Sequence, residues 1–157
     1  MEQRYIVHEL LKSITNSLSL NIPRASREAQ LLLMSYLNVD ELWLITNQST
    51  QVQNVEKLLE WVERRAKNEP FEYITNKVSF YSEEFYIAPG ALIPRPETEI
   101  LIDEVLKYAP DLNAAFQFAE VGVGSGIISI MLAKKFPNAR IIAVDISQDA
   151  LNIAQEN

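Results

Sequence analysis

The chain has 157 residues, near the usual size of one domain, and its 48% hydrophobic and 22% charged content describes a soluble globular protein rather than a disordered one. Fourteen Lys and Arg against 21 Asp and Glu leave a net charge of −7, which argues against a non-specific nucleic-acid binder while leaving room for a small basic patch. The lack of cysteine excludes disulfides and thiolate metal sites, and a single histidine, His8, excludes a His-pair metal site or a Ser-His-Asp triad.

Met1 to Lys12 mixes polar and apolar residues, unlike a signal peptide. No stretch approaches the roughly 18 apolar residues that a bilayer span needs. The expectation is a cytoplasmic protein with no membrane partner.

Residues 1–70 read as a helical bundle. Tyr5, Ile6, Leu10, Leu11, Ile14 and Leu18 form one apolar stripe at helical spacing. Pro23 suits the first turn of a second helix, with Ser26 a rival cap, and that helix buries Ala29, Leu32, Leu33, Tyr36 and Leu37. A short helical segment holds Leu42, Trp43 and Ile45. Thr50 with Gln53 has the form of a capping box, opening a helix that turns Val52, Val55, Leu58, Leu59 and Val62 inward. Arg64, Arg65 and Lys67 suit its C-terminal end, Asn68 ends it and Pro70 prevents its continuation. Arg64-Arg65 reads as an exposed helix end that could touch an acidic partner, and His8 as a solvated surface residue.

Residues 71–92 change period. Phe71, Tyr73, Val78, Phe80, Phe85, Tyr86 and Ile87 suit short strands, with turns at Asn76-Lys77 and Ser82-Glu83, giving a β-hairpin linker. Pro89-Gly90 and Pro94-Arg95-Pro96 mark a turn-rich connection. Pro96 then fits the first turn of a helix whose apolar face is Ile100, Leu101, Val105 and Leu106 and which Ala109-Pro110 stops.

Residues 93–157 read as the first part of an α/β Rossmann-like domain. Phe116 to Val121 is a strand, Gly122 to Gly126 a tight loop, and Ile127 to Phe136 a helix. Arg140 to Val144 is a second strand, and Ser147 caps a further helix. Three of the four glycines of the chain fall in that one loop, where a strand hands over to a helix and the backbone can approach a ligand closely. Asp145 ends the second strand, 19 residues after Gly126. An acid there offers two acceptor oxygens to the vicinal hydroxyls of a ribose. The dinucleotide pattern G-x-G-x-x-G fails, because Ile127 stands where its third glycine belongs and Ser129 fails the alternative register. A nicotinamide dehydrogenase is disfavoured on that ground.

The run Glu120-Val121-Gly122-Val123-Gly124-Ser125-Gly126 resembles motif I of class I methyltransferases that use S-adenosylmethionine. Ile93-Pro94-Arg95-Pro96-Glu97-Thr98-Glu99 resembles a segment of the HemK (PrmC) family, the peptide chain release factor glutamine methyltransferases. Asn68-Glu69-Pro70-Phe71-Glu72-Tyr73-Ile74 and Asp145-Ile146-Ser147-Gln148-Asp149-Ala150-Leu151 are similar to further stretches of that family. The resemblance implies a helical domain that recognises the release factor, then a hairpin, then an S-adenosylmethionine-binding domain. It implies that the loop Gly122, Val123, Gly124, Ser125 and Gly126 holds the methionine part of the cofactor, with Glu120 fixing the loop. It also implies that Asp145 takes the ribose, Ile146 packs on the adenine, and Arg95 and Thr98 border the methionine end. A blander role for Arg95 is pairing with a nearby carboxylate.

The chain departs from the family in three ways. Glu120 stands where Asp is usual, and its longer arm still reaches the loop. Asn68 and Asn76 stand where glycine is common, and asparagine tolerates left-handed backbone. The family's Asn-Pro-Pro-Tyr motif is absent, so no catalytic residue is assigned in this chain. Two strands and a crossover helix cannot close a doubly wound sheet, so the sequence reads as an N-terminal part, inactive alone, of a longer enzyme. Two alternatives stay open: a non-enzymatic protein-binding module, and a related methyltransferase acting on a ribosomal protein.

Overall fold

A computed structural model describes residues 4–157. The chain divides into two units, one reaching to Thr75 and the other spanning Asn76–Asn157.

The first unit is helical. Its elements are β1 (Tyr5–Ile6), α1 (Val7–Leu18), α2 (Ala25–Leu37), α3 (Glu41–Thr46), β2 (Gln51–Val52), α4 (Glu56–Ala66) and α5 (Phe71–Thr75). Leu10, Ile14 and Leu18 of α1 pack with Leu32 and Leu33 of α2 and Leu58 of α4 in one fully apolar core. Tyr36 meets Trp61 edge to face at 6.1 Å. Such a pair adds about 0.5–1.5 kcal/mol beyond area burial.

Several local expectations fail here, one of them for a long-range reason. Tyr5 and Ile6 leave the helical stripe because they pair antiparallel with Val52 and Gln51. The Thr50–Gln53 pattern is therefore not a capping box. The Thr50 carbonyl accepts the Val7 N–H at 3.1 Å, Asn54 turns left-handed at φ 56°, and α4 begins only at Glu56. Neither Pro23 nor Ser26 starts α2, since Arg24 occupies its N-cap at φ 56°. In α3 the buried residue is Leu44, while Leu42 and Ile45 are exposed; Asp40 caps the helix by accepting the Trp43 N–H at 2.7 Å.

Arg64 and Arg65 are not a free helix end. Arg64 grips Glu69 with Nε at 2.8 Å and a terminal nitrogen at 2.5 Å, and Arg65 meets Glu28 at 2.8 Å. The Arg64 hydrogen bonds hold the Glu69 carboxyl below the usual carboxylate range. They fix the chain where Asn68 turns left-handed at φ 65° after α4. Phe71 and Tyr73 lie in a helical turn rather than a strand, because Ile74 and Tyr73 donate their N–H groups back to the Pro70 carbonyl.

The second unit opens with an antiparallel hairpin of β3 (Lys77–Phe80) and β4 (Glu83–Tyr86). Its two-residue turn is Tyr81-Ser82, both at positive φ (52° and 64°), the twist that tight hairpins favour. Val78, Phe80 and Phe85 are its buried side. A 3₁₀ turn, Pro96–Thr98, leads into α6 (Glu99–Tyr108). Of α6 only Ile102 is fully buried; Ile100 and Leu101 stay largely exposed. Glu99 accepts the Tyr81 N–H at 2.8 Å and Asp103 the Tyr81 hydroxyl at 2.7 Å, so the hairpin tip is fastened to α6.

A β-α-β unit follows: β5 (Gln117–Val121), α7 (Ile127–Lys135) and β6 (Arg140–Val144), then α8 (Gln148–Glu156). The strands are parallel, with Gln117 opposite Arg140 and Val121 opposite Val144. Phe116, Phe118 and Phe136 cluster at centroid separations of 5.3–5.8 Å. This register places the carboxyl ends of both strands, and the loops leaving them, side by side.

Candidate functional site

The loop between β5 and α7 is built by three glycines. Gly122, Gly124 and Gly126 all have positive φ (80°, 56° and 81°), a region that costs other residues about 1–2 kcal/mol each. The Gly122 and Val123 N–H groups donate to the Val144 carbonyl at 2.8 and 3.1 Å, binding the loop to the end of β6. The Gly126 N–H closes the turn on the Val123 carbonyl at 2.9 Å.

The glycines differ in what lies beside them. A side chain at Gly122 or Gly124 would meet nothing within 4 Å. At Gly126 it would come within 3.0 Å of the Ala154 β-carbon on α8. Gly126 lets a helix approach, whereas Gly122 and Gly124 leave open space over their backbone. The loop then enters α7, whose first turn carries no acid. A helix N-terminus of this kind favours a carboxylate ligand.

Asp145 sits directly after β6 and serves this loop. One oxygen accepts the Gly124 N–H at 2.9 Å and the other the Ser147 N–H at 2.9 Å. Those N–H groups, Ser147's first and then Gly124's, hold its carboxyl below the ordinary range. Each carboxylate oxygen keeps a further lone pair, so the residue can still accept from a diol. Ser147 caps α8 by accepting the Ala150 N–H at 3.2 Å. Beside Asp145, Ile146 is completely exposed (104%), and Val121 across the strand ends is 87% exposed. An open glycine backbone, an ionised acid and bare apolar side chains thus share one sheet end. That combination fits a ligand carrying a ribose, a flat apolar ring and an amino-acid tail.

Glu120 has a different setting from the loop glycines. It lies half-buried on the helix-covered face of the sheet, and its carboxylate accepts the Ser129 hydroxyl of α7. Burial raises its pKa, with the bonds from Ser129 partly opposing the shift. With Gly122 it borders a cavity of ≈ 380 Å³ whose apolar walls include Leu101, Val105, Phe118 and Leu132. Val123 and Ser125 are buried inside the loop. Arg95 is exposed and makes no ion pair among the described residues; only its carbonyl is engaged, by the Thr98 N–H at 2.9 Å. No hydrogen bond among the described residues joins Arg95 or Thr98 to the glycine loop. Sequence reasoning missed Ser129 and Ala154, whose partners lie on other elements. No group of three or more His, Asp or Glu among the described residues could hold a metal ion.

Comparison with known proteins gives these features a class. Residues 118–157, which contain the loop and Asp145, match the family described as "Methyltransferase domain", and residues 9–75 match "PrmC N-terminal domain". The unit built on β5, α7 and β6 is thus similar to a methyltransferase domain over residues 118–157. The chain is 45% identical over 137 residues to a protein of Koribacter versatilis named "Release factor glutamine methyltransferase", covering 86% of this chain and 48% of the relative. A protein of Dictyoglomus turgidum with the same name is 40% identical over 152 residues, covering 96% of the chain and 54% of the relative. A "Bifunctional methyltransferase" of Rickettsia typhi is 34% identical, covering 98% of the chain and 34% of the relative. The chain is a relative of the release factor glutamine methyltransferases and spans about half the length of the curated relatives it matches.

Proposed function

We propose that a protein built on this chain is an S-adenosylmethionine-dependent methyltransferase that methylates the side-chain amide of a glutamine in peptide chain release factors. The observation that carries the reading is the shared sheet end: open backbone at Gly122 and Gly124, Asp145 between loop and helix, and bare Ile146 beside it. The cofactor, when bound, supplies a methyl group on a positively charged sulfur. The loop Gly122–Gly126, with Val123 and Ser125 packed inside it, would cradle the amino-acid tail at the N-terminus of α7. Asp145 would accept from the ribose hydroxyls and Ile146 would lie against the adenine. Glu120 supports the loop from beneath through Ser129, and Arg95 and Thr98 border the methionine end.

The acceptor is the harder half of the chemistry. An amide nitrogen is a weak nucleophile, so catalysis rests on holding it in line with the methyl and on acceptors aimed at its hydrogens. By resemblance the Asn-Pro-Pro-Tyr motif does this, and these 157 residues do not contain it. The helical unit is the part we assign to release-factor recognition, and the setting is the cytoplasm, where translation ends. Among the described residues no helix is long and apolar enough to cross a membrane.

Two measurements test the reading. Calorimetry should show S-adenosylmethionine binding to the 157-residue chain. Mass spectrometry of release factor should show a methylated glutamine with a version continued through Asn-Pro-Pro-Tyr and none with these residues alone. Failure of the chain to bind the cofactor would remove the methyltransferase reading of the loop. Cofactor binding without release-factor methylation by the continued version would move the substrate elsewhere, a ribosomal protein being the next to try.

A further inference from the structure

At the end of α8 one side chain joins two elements that are far apart in sequence. The Asn157 amide oxygen accepts the Tyr86 N–H at 2.7 Å, and its nitrogen donates to the Tyr86 carbonyl at 3.0 Å and to the Ser125 carbonyl at 2.9 Å. Tyr86 lies on β4, so its outward N–H and C=O belong to the open edge of the hairpin. A primary amide carries the donor and acceptor of a peptide group, so Asn157 takes the place of a third strand there. Its second N–H reaches into the glycine loop. The same helix already lies against that loop at Gly126 and Ala154, and against Gly90 at Asp149, where an added side chain would come within 2.8 Å. All donors and acceptors of the Asn157 side chain are thus committed except spare oxygen lone pairs.

We propose that Asn157 is a positioning residue for the cofactor loop, holding the Ser125 carbonyl so that the backbone at Gly124 and Gly126 keeps its ligand-ready shape. The inference rests on the reading of that loop as the cofactor site, and its test separates the two. Asn157→Ala removes all three bonds. Asn157→Asp keeps the acceptor for the Tyr86 N–H but loses both donors. In a hairpin role alone, Asn157→Asp would bind S-adenosylmethionine like the wild type. In a positioning role both variants should raise the Kd roughly five- to tenfold, the loss expected for one or two solvent-accessible hydrogen bonds. Circular dichroism checks that both variants keep the fold. Amide hydrogen exchange on the free chain supplies a readout independent of the cofactor. Gly124 and Gly126 should exchange faster in both variants, while Tyr86 loses protection only in Asn157→Ala. Unchanged loop exchange would overturn the proposal, as would wild-type affinity in Asn157→Asp. If the wild-type chain binds no cofactor yet the loop amides respond, the positioning stands and the cofactor reading falls.

Discussion

Glu120 on β5 and Asp145 directly after the neighbouring β6 are two carboxylates with opposite electrostatic circumstances. Asp145 is ionised more readily in the folded state because the N–H groups of Ser147 and Gly124 point at it. Its contribution to stability is therefore complete above the ordinary carboxyl range near pH 3.9 and is lost as pH falls through its lowered folded value. Asp145→Ala should flatten that part of the acid limb of a thermal-denaturation profile. It should also weaken S-adenosylmethionine binding roughly tenfold or more by calorimetry, since it deletes the proposed ribose acceptors and the Gly124 tether together. Glu120 has the reverse sign. Its folded pKa is raised by burial, so the folded state binds more protons and stability falls as pH rises from the ordinary carboxyl range through the raised value. Glu120→Gln keeps an acceptor for Ser129 and removes the buried charge. Its melting temperature at neutral pH should exceed the wild type's, and the two should converge in acid. A lower value at neutral pH would mean that the Glu120 charge itself supports the loop.

At the scale of elements, the glycine loop separates backbone need from packing need. Gly122→Ala meets only the left-handed backbone, about 1–2 kcal/mol. Gly126→Ala adds a tight 3.0 Å contact with Ala154, so α8 must give by a few tenths of an ångström. Chemical denaturation should rank Gly126→Ala as the more destabilising of the two by 1 kcal/mol or more, a cost on the scale of overpacking. Equal losses would show that α8 yields freely. The loop itself was legible in sequence because a strand-to-helix glycine cluster and an acid 19 residues on are local facts. The short strand Tyr5–Ile6 was not, because its partner Gln51–Val52 is over forty residues away and its apolar residues also fit a helix. The same holds for Asn157 and Tyr86, 71 residues apart, whose bond no periodicity announces. Phe71 and Tyr73 misled in the other direction: aromatic residues suit strands, but Pro70 offers its carbonyl to the N–H groups that follow and starts a helical turn. Asn68 and Asn76 do adopt the left-handed backbone that their residue type allows.

For the whole molecule, every residue assigned to the cofactor lies in Asn76–Asn157, while the part assigned to the protein substrate lies before it. This division makes a prediction that no single substitution can. A ligand stabilises whatever binds it by mass action, about 2.7 kcal/mol when its concentration is a hundred times the Kd. Hydrogen exchange on the 157-residue chain with saturating S-adenosylmethionine should therefore slow in β5, the glycine loop, β6 and α8. Core amides of the helical unit, such as those of Leu32 and Leu58, should exchange as they do without it. Release factor should do the opposite, protecting helical-unit amides whether or not the cofactor is present. Cofactor protection that spreads into α1, α2 and α4 would instead mean that the two units share one ligand-linked equilibrium. Substrate recognition and methyl-donor binding would then be coupled in this chain rather than divided between its units.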